Sequence, residues 1–434
     1  MLIPTKPSVF IPIETTSREL ISKILLSQQL ASNGFEIYLG QKGKINRLIR
    51  FFKNGIYIDK GYHKGQSEKT YKILKERKFY ILSLDEENAV DFKNNQQLND
   101  RFPDDVLGVF DKIFLWGGYQ YNFLKGKRPS FNEKHTIISG HPRFELLKNE
   151  FQFLYEPKSI EYKETFGKFI LVNTNFGLGN NIRGEKFVIE NYKDRFPDIE
   201  QHILYHKKQQ QIFIELVFRL SKETKYNIVF RPHPEEDHEV YDTVFKALNN
   251  VFVLYDGSVI PWLLASEFMI HSDCTTSLEC AMLGKSSIAY TKYIDEKFTT
   301  DIPLRISFNY DNETAVINHV NSKMDNSRID NKILTDYFNF NENSLKIIVD
   351  NISENFKNIY TYKIQNLAVI KWYFFLKKII KQILFRFDDK LIQKKLSGFD
   401  YSESKKILKT LNLKYSSNIE IEKIDDKLFK IYKK

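Results

Sequence analysis

Twice along this 434-residue chain, short runs of β-branched and apolar residues alternate with stretches of helical period. That double alternation constrains the fold more than any other feature, because β-α-β order calls for parallel, doubly wound sheets. In the first series, residues 8–14, 35–39, 56–58, 79–84, 112–116 and 135–139 read as strands. Residues 17–32 read as a helix with Ser17 as its N-cap. The pattern turns polar and loses its period near residues 156–168, which marks a domain boundary. A second series follows, with strands at 169–173, 227–230, 251–254, 268–271 and 286–290 and helices near 209–221, 238–248 and 277–283. Beyond Asn312 the chain reads as helical, at 313–321 and 341–356. The expected class is α/β: two Rossmann-like domains facing a cleft, followed by a helical tail.

Charge is distributed unevenly. From Thr361 onward there are 18 Lys and Arg against 8 Asp and Glu, while the rest of the chain carries 47 of each sign. The whole net charge of +10 therefore sits in the tail. There, Trp372, Leu376, Ile379, Ile380, Ile383, Leu384 and Phe387 share one helical face, and Lys371, Lys377, Lys378 and Lys381 the other. A basic amphipathic helix suits docking on an anionic membrane surface. The competing reading is a helix that braces the protein with its apolar face inside. On the docking view a chain ending near Tyr360 stays folded and leaves the membrane. The tail lacks Gly/Arg-rich and aromatic-stacking motifs, so no nucleic-acid partner is expected, although an adaptor holding nucleic acid through the tail is the non-enzymatic alternative. The first twelve residues do not form a signal peptide, and no run approaches a membrane span. Two cysteines, Cys274 and Cys280, suggest no disulfide framework and a reducing compartment.

Candidate chemistry gathers where strands end. Arg231-Pro232-His233-Pro234 closes a buried strand ahead of a helix. Arg231 offers a fork of donors for phosphate, His233 a donor to a leaving phosphate oxygen, and the prolines, Pro234 included, stiffen the loop. A plain strand-to-helix turn with a surface histidine is the alternative. Ser272-Asp273-Cys274-Thr275-Thr276-Ser277 follows another apolar strand, where Thr275, Thr276 and Ser277 are placed to cap a helix and meet an anion, with Ser272 beside them and Glu279 one turn on for ribose hydroxyls. Ordinary capping explains the same residues. Asp85-Glu86-Glu87 ends the strand at 79–84, and clustered carboxylates suit a general base, or else an acidic helix start. Glu14, Arg18 and Glu19 close the first strand and open the first helix; His141 and Arg143 follow the last strand of the series. Residues 175–180, with Asn175 at their head, read as a flexible loop near the ligand. His202 and His206 stand at H-x-x-x-H spacing without the glutamate or third ligand of a zinc site, and read as surface histidines.

Several stretches together resemble bacterial surface carbohydrate biosynthesis proteins. They are Pro12-Ile13-Glu14-Thr15-Thr16-Ser17-Arg18-Glu19-Leu20, Leu84-Asp85-Glu86-Glu87, Trp116-Gly117-Gly118, Ser139-Gly140-His141-Pro142-Arg143-Phe144-Glu145-Leu146-Leu147, Asn173-Thr174-Asn175-Phe176 and Arg231-Pro232-His233-Pro234. The resemblance spans residues 8–290. It implies a GT-B-type glycosyltransferase related to capsule-type enzymes that use CMP-activated 3-deoxy-ulosonic acids such as Kdo, sialic or pseudaminic acid. By that resemblance the base falls on Asp85 or Glu86, and the CMP phosphate on His233-Pro234 and Thr276-Ser277. Asn88 stands where the acidic motif of bacterial sialyltransferases has glycine. The nearest enzymatic rival is glycerophosphate transfer from CDP-glycerol.

The expected map is an acceptor domain at 1–155, a donor domain at 165–330, connecting helices at 331–360 and the basic tail at 361–434. The expected partners are a nucleotide-sugar donor, a glycan or lipid-linked acceptor and the inner face of the cytoplasmic membrane, with the enzyme cytoplasmic and peripheral there. No cofactor beyond the CMP-sugar substrate and no metal is expected.

Overall fold

Every strand read from the sequence is present, because each is an apolar run long enough to be covered on both faces of a parallel sheet. The computed structural model describes residues 2–87, 91, 95–193, 196, 198–322, 331–384 and 390–434, with the side chains of 331, 381–384, 390, 391 and 394 left out. Asn88, Phe387 and the side chains of Lys381, Ile383 and Leu384 thus lie outside the described residues. The chain forms two units: Met1–Ala89, Gln97–Leu146 and Leu334–Lys434 make the first, Val90–Gln96 and Leu147–Ile333 the second.

The first unit holds β1 (Ile3–Thr5), β2 (Ser8–Ile13), β3 (Glu36–Gln41), β4 (Phe52–Lys53), β5 (Ile56–Asp59), β6 (Tyr80–Leu84), β7 (Lys112–Leu115) and β8 (Thr136–Ile138). The second holds β9 (Phe169–Asn173), β10 (Asn227–Arg231), β11 (Val251–Val253), β12 (Phe268–His271), β13 (Ser287–Tyr290) and β14 (Ser307–Tyr310). The tail then returns β15 (Thr361–Lys363), β16 (Ile419–Asp425) and β17 (Leu428–Lys433) to the first unit.

In the second unit the order β11-β10-β9-β12-β13-β14 is parallel throughout. Connections run to one side of β9 and then reverse, so the switch point lies between β9 and β12. In the first unit the order is β16-β17-β3-β2-β5-β6-β7-β8, parallel from β3 to β8, and the switch point lies between β2 and β5. All six residues of β2 are buried. Phe10 stacks on Tyr38 at 4.9 Å between ring centroids and meets Phe52 and Phe79 at the centre of this core.

The tail departs from the sequence reading. It carries the expected amphipathic helix, Leu367–Leu384, followed by helices Lys390–Lys395 and Tyr401–Tyr415 and by three strands that the reading lacked. β17 pairs antiparallel with β3, and Leu428, Phe429 and Ile431 are fully buried. A Cβ on Gly40 would lie 2.6 Å from the Leu428 side chain, so glycine is what lets the hairpin close on β3. Ile370 and Phe374 of the tail helix belong to the same core as Phe10. Residues 361–434 are therefore part of the first unit rather than a dispensable appendage, and a cut near Tyr360 removes part of its sheet and core. Among the described residues no helix is long and apolar enough to cross a membrane.

Candidate functional site

In the second unit the candidate residues lie at the carboxyl ends of β9, β10 and β12, on either side of the switch point. Arg231, the last residue of β10, is buried at 8% exposure. Its guanidinium stacks on the Tyr255 ring at 4.4 Å, and Nη2 donates to the Gly257 carbonyl at 2.9 Å. The buried Nε has no hydrogen-bond partner, and among the described residues no carboxylate pairs with this cation. Buried charges are ordinarily paired, so an uncompensated guanidinium at a strand end is costly unless an anion meets it.

Pro232 and Pro234 are buried, and the half-buried His233 lies between them. Its Nδ1 accepts from the Glu235 amide at 3.3 Å, which puts the proton of the neutral ring on Nε2. The turn is anchored by Glu236, fully buried, whose Oε1 accepts from the Thr174 hydroxyl at 2.7 Å, the His233 amide at 3.0 Å and the Phe176 amide at 3.1 Å. Its Oε2 accepts from the Tyr241 hydroxyl. The sequence reading missed Glu236, although it stands inside the quoted Arg-Pro-His-Pro-Glu-Glu run.

Residues 175–180 are held, against the expectation of a flexible loop. Phe176 is buried, Asp237 N donates to Asn180 O at 2.9 Å and Leu178 N to the His206 ring at 3.4 Å. Asn175 itself is exposed, and the buried Asn173 Oδ1 at the end of β9 has no hydrogen-bond partner. His202 is buried and His206 half-buried, so neither is the surface histidine expected. His202 packs on Phe298 at 4.3 Å, His206 on Phe176, and burial pushes the two rings down to about 4 and about 3.

After β12, the hydroxyls mostly turn inward. Ser277 Oγ donates to the Cys274 carbonyl at 2.9 Å and Ser272 Oγ to Asp273 at 3.1 Å. Thr275 occupies the N-cap of the helix Thr276–Met282 without a side-chain capping bond, and its side chain is exposed. Thr276 contacts the Cys274 sulfur, and Glu279 is buried on the helix. The capping expected of Thr275–Ser277 is thus not made: their hydroxyls go to the preceding turn or to solvent. Behind them His271, fully buried, donates from Nε2 to Ser307 Oγ at 2.9 Å and accepts from Cys274 N, and burial pushes it down to about 3.

The first unit places a charge network at the ends of β2, β5 and β6. Glu19 is fully buried, with Lys60 Nζ at 2.9 Å and Lys23 Nζ at 2.9 Å. Burial by itself would raise this carboxyl; Lys23, Lys60 and Arg18 hold it well below its usual range. Glu19 also accepts from the Glu14 and Thr15 amides, so the first helix, Thr16–Ser32, opens on Thr15 with Glu19 reaching back, and Ser17 is not its cap. Glu14 pairs with Lys60 at 2.7 Å and Lys42 at 3.0 Å, which overcome the upward push of burial and bring it down to about 2.

Asp85 is buried and gripped by both arms of Arg101, at 2.8 and 2.6 Å. Gly61 makes the grip possible: its φ is +124°, and a Cβ there would lie 1.9 Å from the Arg101 guanidinium. Glu86 is also buried. Its Oε1 lies 3.2 Å from Lys23 Nζ, and its unpartnered Oε2 faces the unpartnered His141 Nε2 at 3.6 Å. His141 Nδ1 accepts from the Arg143 amide, so the ring proton points at Glu86, and burial pushes this ring down to about 4. Arg143 lies over the Trp116 and Phe144 rings and donates to the Glu86 carbonyl. Glu87, by contrast, keeps 36% of its side chain exposed and pairs with Arg18 at 2.7 Å. Sequence reasoning missed Lys23, Lys60 and Arg101; the i,i+4 spacing of Glu19 and Lys23 was its one available signal. Five carboxylates here, Glu14, Glu19, Asp85, Glu86 and Glu87, meet five cations, Arg18, Lys23, Lys42, Lys60 and Arg101.

Two structures of UDP-GlcNAc 2-epimerase from Methanocaldococcus jannaschii align with this chain at TM-scores of 0.53 and 0.52. Each is 11% identical and covers 81% of this chain and 100% of the other. The fold is of the two-Rossmann-domain, GT-B type. At this identity the likeness speaks for fold alone. The wall teichoic acid polymerase TagF aligns more loosely, at a TM-score of 0.47 and 10% identity over 81% of this chain and 89% of that one. No protein-family model and no curated protein matches the chain.

Proposed function

We propose that this chain is a nucleotide-sugar-dependent glycosyltransferase of bacterial surface polysaccharide synthesis, with a CMP-activated 3-deoxy-ulosonic acid as donor. The observation that carries the reading is Arg231, a buried guanidinium with no carboxylate partner among the described residues, at the end of the strand next to β9, on whose other side the Rossmann switch point lies. The second unit then takes the phosphate of the donor. Arg231 and the Nε2–H of His233 stabilise it as it leaves with the electrons of the glycosidic bond, and no metal is invoked. The carboxylates and cations of the first unit engage one another in ion pairs, which suits a neutral hydroxyl acceptor. Accessibility favours Glu87 over Asp85 and Glu86 as the base: Asp85 is gripped by Arg101 and Glu86 is buried, while Glu87 is half-buried and, held ionised by Arg18 and Arg101, has to leave that pairing to take the proton. The support for CMP-ulosonic acids is the sequence resemblance.

The test is calorimetric titration with CMP, CDP and UDP, followed by incubation with CMP-ulosonic acids and CDP-glycerol in parallel. CMP is expected to bind and His233→Ala to weaken it about 10-fold or more, the loss of one charge-assisted bond. Turnover of CDP-glycerol alone would establish the rival transferase. Lys371, Lys378 and Lys430 of the tail are paired with Glu422, Asp426 and Glu36, which argues against the nucleic-acid adaptor.

We further propose that the tail helix both braces the first unit and touches an anionic membrane. Ile370 and Phe374 face the core, while Val369, Trp372, Phe375 and Ile380 are exposed, Trp372 to 62%. Exposed apolar residues flanked by the exposed Lys377 suit an interfacial contact. Full-length protein should float with anionic vesicles at low salt, and Trp372→Glu with Phe375→Glu should stay folded and unbound; flotation of that variant would refute the contact.

A further inference from the structure

Glu236 has no role in phosphate binding or proton transfer, yet its carboxylate accepts four hydrogen bonds. It is buried to 0% exposure, and all four of its neighbours are donors: the Thr174 hydroxyl and Phe176 amide from the segment after β9, the His233 amide from the turn after β10, and the Tyr241 hydroxyl from the helix His238–Phe245. We infer that Glu236 is the positioning residue of the donor site, one carboxylate that clamps the ends of β9 and β10 together and thereby fixes where the His233 imidazole stands. The inference rests on the reading of that site as nucleotide-binding.

The backbone makes the clamp specific. Thr174 N donates to Arg231 O at 3.5 Å, Ile182 N to Glu235 O at 2.9 Å and Asp237 N to Asn180 O at 2.9 Å, so the two segments run side by side around the carboxylate. Gly177 passes close enough that a Cβ there would sit 3.7 Å from His233 Nδ1. His233 is therefore held at two points: its backbone amide by Glu236 and its ring Nδ1 by the Glu235 amide. Four donors favour the anion, although burial raises the Glu236 pKa. Removing the carboxylate leaves buried donors unsatisfied and lets both segments relax. A glutamine keeps one oxygen for Thr174, Phe176 and His233 and turns an amide toward Tyr241, whose hydroxyl can rotate to accept.

The experiment is a double-mutant cycle on the full chain, read by CMP affinity. Glu236→Gln should bind CMP within about 3-fold of the unmodified protein, and Glu236→Ala should lose about 10-fold or more. In a His233→Ala background, Glu236→Ala should cost little further, because its effect runs through that ring. Full additivity, or unchanged binding in Glu236→Ala, would overturn the inference. Should Glu236→Ala fail to fold, Thr174→Val and Tyr241→Phe each remove one bond and should couple to His233→Ala in the same sense. A second readout needs no ligand: the His233 ring, followed by NMR titration and assigned by its loss in His233→Ala. Its signal and pKa should move in Glu236→Ala and stay in Glu236→Gln, and an unmoved ring in both sinks the inference. If the unmodified protein binds none of CMP, CDP and UDP, the nucleotide reading fails, while the NMR result still decides the clamp.

Discussion

A charge taken out of water needs a partner. Asp85 has one, in the two-armed grip of Arg101; Arg231 has an aromatic face and a single carbonyl. Substitution should separate the two cases. Asp85→Asn or Arg101→Met leaves an unpaired buried charge and should cost about 3–5 kcal/mol in chemical denaturation, while Asp85→Leu with Arg101→Met should cost less than the sum. Arg231→Met removes a charge that no carboxylate among the described residues neutralises, so the ligand-free protein should hold or gain melting temperature while the CMP-induced rise disappears. A mutant that loses stability and keeps that rise would show Arg231 to be structural. Glu87→Gln should lower turnover by about 100-fold with CMP affinity intact. At this scale the sequence was legible for the placement of Arg231-Pro232-His233-Pro234 at a strand end. It was not legible for Lys60, Arg101 or Glu236, ordinary charged residues until the fold sets them against Glu19, Asp85 and Thr174.

The elements carry their own expectations. The hairpin of β16 and β17 covers β3, an edge that would otherwise present unpaired amides and carbonyls. A chain ending near Tyr360 should therefore aggregate, and one ending after the helix Tyr401–Tyr415 should be destabilised. Sedimentation and melting of both truncations check this; a monomeric, folded chain ending near Tyr360 would restore the tail as an appendage. The helix Leu367–Leu384 also shows what periodicity leaves open. Apolar residues occupy most of its circumference, and a wheel does not say which of them, Ile370 and Phe374 or Trp372 and Phe375, meets the core.

For the whole molecule, two units with separate cores predict two unfolding transitions. Trp262 is the one tryptophan of the second unit; Trp116 and Trp372 belong to the first. CMP should raise only the transition that Trp262 reports, which Trp116→Phe with Trp372→Phe would isolate. Acid should act on both units. His63 and His141 in the first and His202, His206 and His271 in the second are all pushed down by burial, to about 4 or about 3, from an ordinary value near 6.5. Folding resists their protonation, so their contribution is full above pH 6.5 and is lost as the pH falls from there toward 4 and below. Melting temperature should begin to drop near pH 6.5, above the carboxylate range, and His141→Gln should soften the drop in the first unit. A profile flat down to pH 5 would contradict the burial of these rings.

Local pattern alone made the strands and their parallel use legible, since an apolar run flanked by helical period has few other places to go. It also marked the strand ends that carry Arg231 and His233 and the acidic run after β6. Tertiary structure decided what those residues can do. The pairing of β17 with β3 drew the tail into the first unit, the grip of Arg101 withdrew Asp85 from solvent, and the inward turn of Ser277 took its hydroxyl from any ligand. Each outcome depends on contacts between residues far apart in the chain, and local period and propensity carry no information about such contacts.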